Sequence, residues 1–158
     1  MGEACPCQSG KTYQDCCQPY HLGEDAPDAE SLMRSRYSAF VLGNIDYIVK
    51  TTFPRQQSAM DIAALKKWAQ EKQWQGLCVL KVQDEFAKNK SSVEFEAYFA
   101  QDGVDEIHHE KSLFIHQNGR IYFLDPTLNL PAEKSPCVCG SGRKFKLCCG
   151  KLLREFYS

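Results

Sequence analysis

Eight of the nine cysteines in this 158-residue chain fall into two groups with one internal spacing. The first group is Cys5, Cys7, Cys16 and Cys17. The second is Cys137, Cys139, Cys148 and Cys149, offset by 132 residues at every cysteine. The repeat extends beyond the thiols, to Ser9/Ser141, Gly10/Gly142, Lys11/Arg143 and Tyr13/Phe145. Four thiolates within 13 residues meet the demand of a closed tetrahedral zinc site. The Cys-x-Cys pair reaches one ion from a tight turn, and the Ser-Gly step permits that turn's backbone angles. The aromatic packs over the site and the adjacent cysteines close it. A segment this small has no core of its own, so the ion supplies its folding energy. The expectation is two Zn2+ ions per chain, one near each end.

Other readings of these residues compete less well. Adjacent cysteines make strained disulfides, and a reducing compartment disfavours them. Four cysteines also suit an iron–sulfur cluster. The duplicated spacing favours zinc over both. Gly10-Lys11-Thr12 imitates the end of a phosphate-binding loop, but the earlier glycine that motif needs is replaced by Cys5. His21 could replace one cysteine ligand, but the second copy has no matching histidine, so four cysteines are the shared solution. Cys78, within Leu77-Cys78-Val79-Leu80, reads as a buried small hydrophobe rather than a nucleophile.

The elements between the groups come from patterning. Asp28 can cap a helix through Val41, with Met33, Tyr37, Phe40 and Val41 at helical spacing and Gly43 at its end. Residues 44–49 form a short second helix, and Pro54 interrupts what precedes it. Ser58 to Asp61 resembles a capping box for a third helix with Ile62, Leu65, Trp68 and Ala69 on its buried face. After Gly76 the period becomes two. Leu77 to Phe86 is a strand, Val93, Phe95, Ala97 and Phe99 alternate along the next, and Gly103 turns the chain. On the third strand Ile107, His109, Lys111, Leu113 and Ile115 share one face, with His108, Glu110, Ser112, Phe114 and His116 on the other. Asn118-Gly119 makes a hairpin into a last strand, Ile121 to Leu124. Helices followed by an antiparallel meander give an α+β class. The division is an N-terminal module (1–21), a central domain (22–134) that supplies its own apolar faces and folds alone, and a C-terminal module (135–158).

Composition narrows the function. A hydrophobic fraction of 43% supports a real core, and a formal net charge of −1 excludes a strongly basic nucleic-acid binder. No apolar run approaches a membrane span. The first residues show no secretory signal, and Pro6 breaks the myristoylation pattern, so the cytoplasm is the expected setting.

The cysteine groups resemble SEC-C motifs, the zinc-binding tail first associated with the bacterial secretion ATPase. Their placement around Leu32–Phe40, Asp46-Tyr47-Ile48 and His109–Phe114 resembles the YchJ family of bacterial proteins over nearly the whole chain. The resemblance implies a cone-like domain similar to nuclear transport factor two, with helices closing a curved antiparallel sheet, flanked by the two zinc modules. The chain departs from the family pattern at Phe53, where a histidine is expected, and at Asp125-Pro126, where Asp-Gly is expected. The resemblance also implies a binding or adaptor role, because the secretion ATPase's motif contacts an export chaperone. Arg143, Lys144, Lys146, Lys151 and Arg154 make the second module the better electrostatic surface for a protein partner. The alternative is a small-molecule pocket in the cone, with Arg34, Arg36, Tyr37, His109, Glu110 and Asp125 as candidate lining residues. His109 and Glu110 point to opposite faces and cannot pair, so no complete acid–base set is expected and binding is favoured over turnover.

Overall fold

The computed structural model describes residues 2–157. A one-turn helix α1 (Gln18–His21) follows the first cysteine group. Asp28 then caps α2 (Ala29–Leu42), its carboxylate accepting the Ser31 N–H at 2.8 Å. Gly43 ends α2 at φ 74°, a left-handed conformation that costs glycine nothing. Asn44 caps α3 (Ile45–Thr51) by accepting the Tyr47 N–H.

Helix α4 (Ile62–Glu71) departs from expectation twice. Its cap is Asp61 itself, which accepts the Ala64 N–H at 3.0 Å, because Ser58 still lies within the 3-10 turn Pro54–Ala59. Its apolar stripe is not a buried face: Ala69 is buried, but Ile62 and Trp68 are 44% and 42% exposed. Leu65 and Trp68 line a cavity instead of filling a core. The Trp68 ring meets Phe40 and Trp74 at centroid distances of 5.2 and 5.4 Å.

Four antiparallel strands run in sequence order: β1 (Gln73–Ala87), β2 (Lys90–Gln101), β3 (Val104–Gln117) and β4 (Arg120–Phe123). Register shifts in β1 between Trp74 and Gly76, Val79 and Lys81, and Gln83 and Ala87 bend the sheet. The result is the expected α+β arrangement of helices on a curved sheet. The pleat decides what each side does. Phe95 lies opposite Glu110 and Ala97 opposite His108, on the side facing α2. Glu94 lies opposite Lys111 and Glu96 opposite both His109 and Cys78, on the other side. Cys78 is therefore exposed, not buried, since the outer face at that height has no cover.

The cysteine groups are part of the core. Cys5, Cys7 and Cys17 join a buried cluster with Leu32, Met33, Tyr37, Leu77, Phe95 and Phe114. Lower on the outer face, Leu113 and Ile115 pack with Phe53, Leu124, Phe145, Leu153 and all four cysteines of the second group. The central apolar faces are completed by the ends, contrary to a middle that covers itself. Deleting both ends exposes fully buried Leu113 and Ile115, so a fragment of residues 24–134 is expected to lose cooperative thermal unfolding.

Gln8 docks the first module on the sheet edge. It sits at φ 61°, where the second copy has Gly140 at φ 78°. That conformation costs a non-glycine residue roughly 1–2 kcal/mol. It is held because the side-chain amide donates to Gln75 O at 3.2 Å and accepts from Leu77 N at 3.3 Å. A Cβ on Gly76 would fall 2.7 Å from Gln8 Oε1. Gly76→Ala is expected to expel this amide and lower stability by about 1–2 kcal/mol in denaturant titration. In a Gln8→Ala background the same substitution should cost less, the remainder being the strain of an L residue at φ 158°.

Candidate metal centres and cavity

The two modules share one backbone. Cys5 N donates to Lys11 O at 3.0 Å and Cys137 N to Arg143 O at 2.8 Å. The Ala4–Thr12 bridge recurs as Pro136–Lys144, each displaced by the same sequence offset as the cysteines. These turns bring the Cys-x-Cys sulfurs against the adjacent pair. In each group the four Sγ atoms lie within 4.8 Å of one another. Cys7 and Cys16 are 3.6 Å apart, Cys16 and Cys17 3.8 Å, and Cys139 and Cys148 3.5 Å. Four sulfurs around one ion at metal–sulfur distances of about 2.3 Å would be separated by about 3.8 Å, so the groups fit a single tetrahedral ion. All eight are free thiols. In an iron–sulfur cubane each thiolate holds a different iron, which spreads the sulfurs wider than one ion's shell.

Outer contacts are duplicated too. Ser9 Oγ lies 3.1 Å from Cys16 Sγ, and Ser141 Oγ 3.2 Å from Cys148 Sγ. Each serine also accepts a backbone N–H two residues on, from Lys11 or Arg143, at 3.2 Å. Hydrogen bonding from Cys17 brings the Cys7 thiol down to about 4, and Cys149 does the same for Cys137, also to about 4. Cys17 and Cys149, the partners, are pushed up. One thiolate per group is thus favoured by its neighbours, and a divalent ion would displace the remaining protons.

The central domain gives each group a cation. Arg34 Nη1 donates to Cys7 O at 3.0 Å while its Nε pairs with Glu30 at 2.9 Å. Lys90 is 4% exposed beside Cys139, Cys148 and Cys149. Burial alone would pull Lys90 down, but these sulfurs outweigh it and hold the ammonium charged. A divalent ion with four thiolates carries net negative charge, which such cations offset. The sequence reading missed Lys90, since nothing marks a buried lysine on an alternating strand. His21 is no ligand: its Nδ1 bonds Tyr13 Oη at 2.6 Å and its Nε2 donates to Ser35 O at 2.8 Å.

A cavity of about 800 Å3 separates the sheet from the helices. Tyr37, Phe40, Trp68, Trp74, Phe99 and Phe114 supply much of its apolar wall. Of the residues expected there, Arg36, Tyr37, Glu110 and Asp125 line it. Two do not. Arg34 turns to the first cysteine group, and His109 is on the outer face, bonded to Glu94 at 2.7 Å. The histidine in the cavity is its neighbour, His108, whose Nε2 lies 3.0 Å from Glu110 Oε1. Glu110 Oε2 accepts the Ser112 hydroxyl. Burial alone would raise Glu110, but the bonds from His108 and Ser112 hold it below the usual carboxylate range. The same bond to Glu110 raises His108, whose side chain is about half-exposed. Arg36 donates Nη1 to Ile48 O, Thr51 and Thr52, and lies over the Phe123 ring. Burial pulls it down to about 10, so it stays charged at neutral pH.

Residues 28–126 match the family model of the YchJ middle NTF2-like domain, and residues 3–19 and 134–151 match the SEC-C motif. A UPF0225 protein of Actinobacillus succinogenes is 49% identical over 97% of this chain and 100% of its own length. One from Haemophilus influenzae (strain Rd) is 50% identical over 96% and 94%. The crystal structure of a SEC-C motif containing protein from Psychrobacter arcticus superposes with a TM-score of 0.86 at 45% identity, covering 94% of this chain and 96% of that one. The solution structure of a SEC-C motif containing protein from Rhodopseudomonas palustris gives 0.71 at 39% identity, covering 79% and 96%.

Lys90→Met should remove the buried counter-charge of the second centre alone. The expected outcome is about tenfold weaker metal retention there against a chelator, with the first centre unchanged. Equal release from both centres would contradict a local charge role.

Proposed function

We propose, for a chain that belongs to the YchJ family, that it is a binding protein stapled by two structural zinc ions, with the central cavity as its ligand site. Zinc is favoured by the four-sulfur geometry of both groups, which is closed and leaves no coordination position for a substrate. The ions act by holding the ends against the sheet. Free thiols in such number suit a reducing compartment, which supports a cytoplasmic setting. No helix among the described residues is long and apolar enough to cross a membrane.

The observation carrying the ligand reading is the cavity: about 800 Å3, aromatic-walled, with charged and polar groups among its lining residues. Its size and mixed wall match small-molecule sites. The expected ligand has a flat apolar body and a polar end. Native mass spectrometry of the purified protein should show two zinc ions and, under gentle conditions, a co-purified organic molecule. A single metal, or iron, would overturn the zinc assignment. A protein that neither retains a small molecule nor shows saturable quenching of Trp68 and Trp74 with apolar aromatic probes would overturn the cavity reading.

A second reading concerns the C-terminal module. Arg143, Lys144, Lys151 and Arg154 are exposed, while Lys146 is half-buried and its carbonyl holds Arg154 at 2.8 Å. This basic face suits an acidic protein surface. Exchanging Lys144 and Lys151 for glutamine should weaken capture of such a partner and reduce its salt dependence, leaving zinc content intact. Unchanged capture would remove the adaptor role.

A further inference from the structure

The polar end of the cavity has an order beyond that of a binding wall. His108 and Glu110 are two residues apart on β3, so the pleat presents both on the inner side. One ring nitrogen is committed to the carboxylate at 3.0 Å, and the carboxylate's other oxygen is fixed by Ser112. Nδ1 of His108 has no partner among the described residues. With Nε2–H directed at Glu110, the neutral ring carries its lone pair on Nδ1. Ser112 donates to Glu110 and not to the imidazole, so it is not activated as a nucleophile. Cys78 lies on the opposite side of the sheet, opposite Glu96. What remains is proton transfer without a covalent step.

We propose that His108 and Glu110 form a general acid–base centre, with His108 Nδ1 taking a proton from a C–H bond activated by an adjacent electron-withdrawing group, on a substrate whose flat apolar body occupies the aromatic part of the cavity. The assignment rests on the cavity reading above. In the native reaction the C–H proton moves to Nδ1 and the bonding pair shifts onto the neighbouring acceptor. The imidazolium then returns the proton to another atom of the same molecule. The net change is an isomerisation that needs no co-reactant. Glu110 is the positioning residue: it orients the ring, selects its tautomer and stabilises the imidazolium. Arg36 and Tyr37 from α2, Lys72 after α4, Glu106 on β3, Asp125 after β4 and Tyr157 after α5 (Cys149–Phe156) are the other charged or titratable groups lining the cavity. Lys72 opposes the raised affinity of His108 for its proton, and Glu110 outweighs it.

The test uses 5-nitrobenzisoxazole on the full-length, metal-loaded protein. A base removes its ring C–H proton, the N–O bond breaks, the C–N bond becomes a nitrile, and the coloured cyanonitrophenolate keeps the oxygen pair. The expected result is turnover at least tenfold above His108→Gln, rising with pH as His108 deprotonates. Glu110→Gln should lower the rate and move that midpoint to lower pH, a shift that mere loss of packing would not produce. His109→Gln should leave the rate unchanged. Circular dichroism and zinc content show which variants remain folded. A wild-type rate equal to that of His108→Gln, or to free imidazole at equal concentration, overturns the proposal, as does equal loss in His109→Gln. Saturable quenching of Trp68 and Trp74 by the probe without turnover overturns the acid–base centre and leaves the cavity reading standing. No quenching by this or other apolar aromatic probes, with no co-purified molecule, overturns both.

Discussion

Holding four sulfurs within one ion's shell is the constraint on which both ends of the molecule depend. The Cys-x-Cys turn and adjacent pair leave most of the eight cysteine side chains buried, and burying that many thiolates is costly unless a cation gathers them. The groups are not appendages. Three sulfurs of the first pack with α2 and the inner face of the sheet, and all four of the second cover Leu113 and Ile115 on the outer face. A metal ion in each group would therefore stabilise the same side chains as the hydrophobic packing. With both ends in place the sheet is covered on the two sides where its strands are apolar.

The cavity follows from the same division of labour. Because the cysteine groups supply much of the packing, the helices need not fill the inner face completely. Helix α4 stands off the sheet with Trp68 half-open to solvent, and the aromatic rings of Phe40, Trp68, Trp74 and Phe99 line space instead of closing it. The last helix links the two regions. It starts at Cys149, a sulfur of the second group, and Tyr157 just beyond its end lines the cavity, where burial and the nearby Glu110 raise its phenol. One end of this helix belongs to a four-cysteine group that could hold a metal ion, and the other borders the polar groups of the cavity.

Much of this was legible in the chain because it is local. Asp28, Asn44, Gly43 and Asn118-Gly119 act through their own neighbours, and a spacing repeated at every cysteine states a ligand set without reference to the fold. The alternation on β3 correctly separated His109 from His108, but it could not say which face looked inward. Leu113 and Ile115 share the face of His109 and look like markers of the core. They mark a different core, built by a module more than 20 residues further along the chain.

Sequence alone determined the two four-cysteine groups, the α+β order of elements and the alternation of β2 and β3, since each is set by spacing along a short stretch of chain. Tertiary structure decided which side of the sheet faces the cavity. It buried Lys90 against the second group, turned Arg34 to the first, left Cys78 exposed and paired His108 with Glu110 in the cavity. The physical reason is that a pleated strand offers two equivalent faces. Only the chain packed on each face, arriving from far away in sequence, fixes which side chains leave water and which charges they meet there.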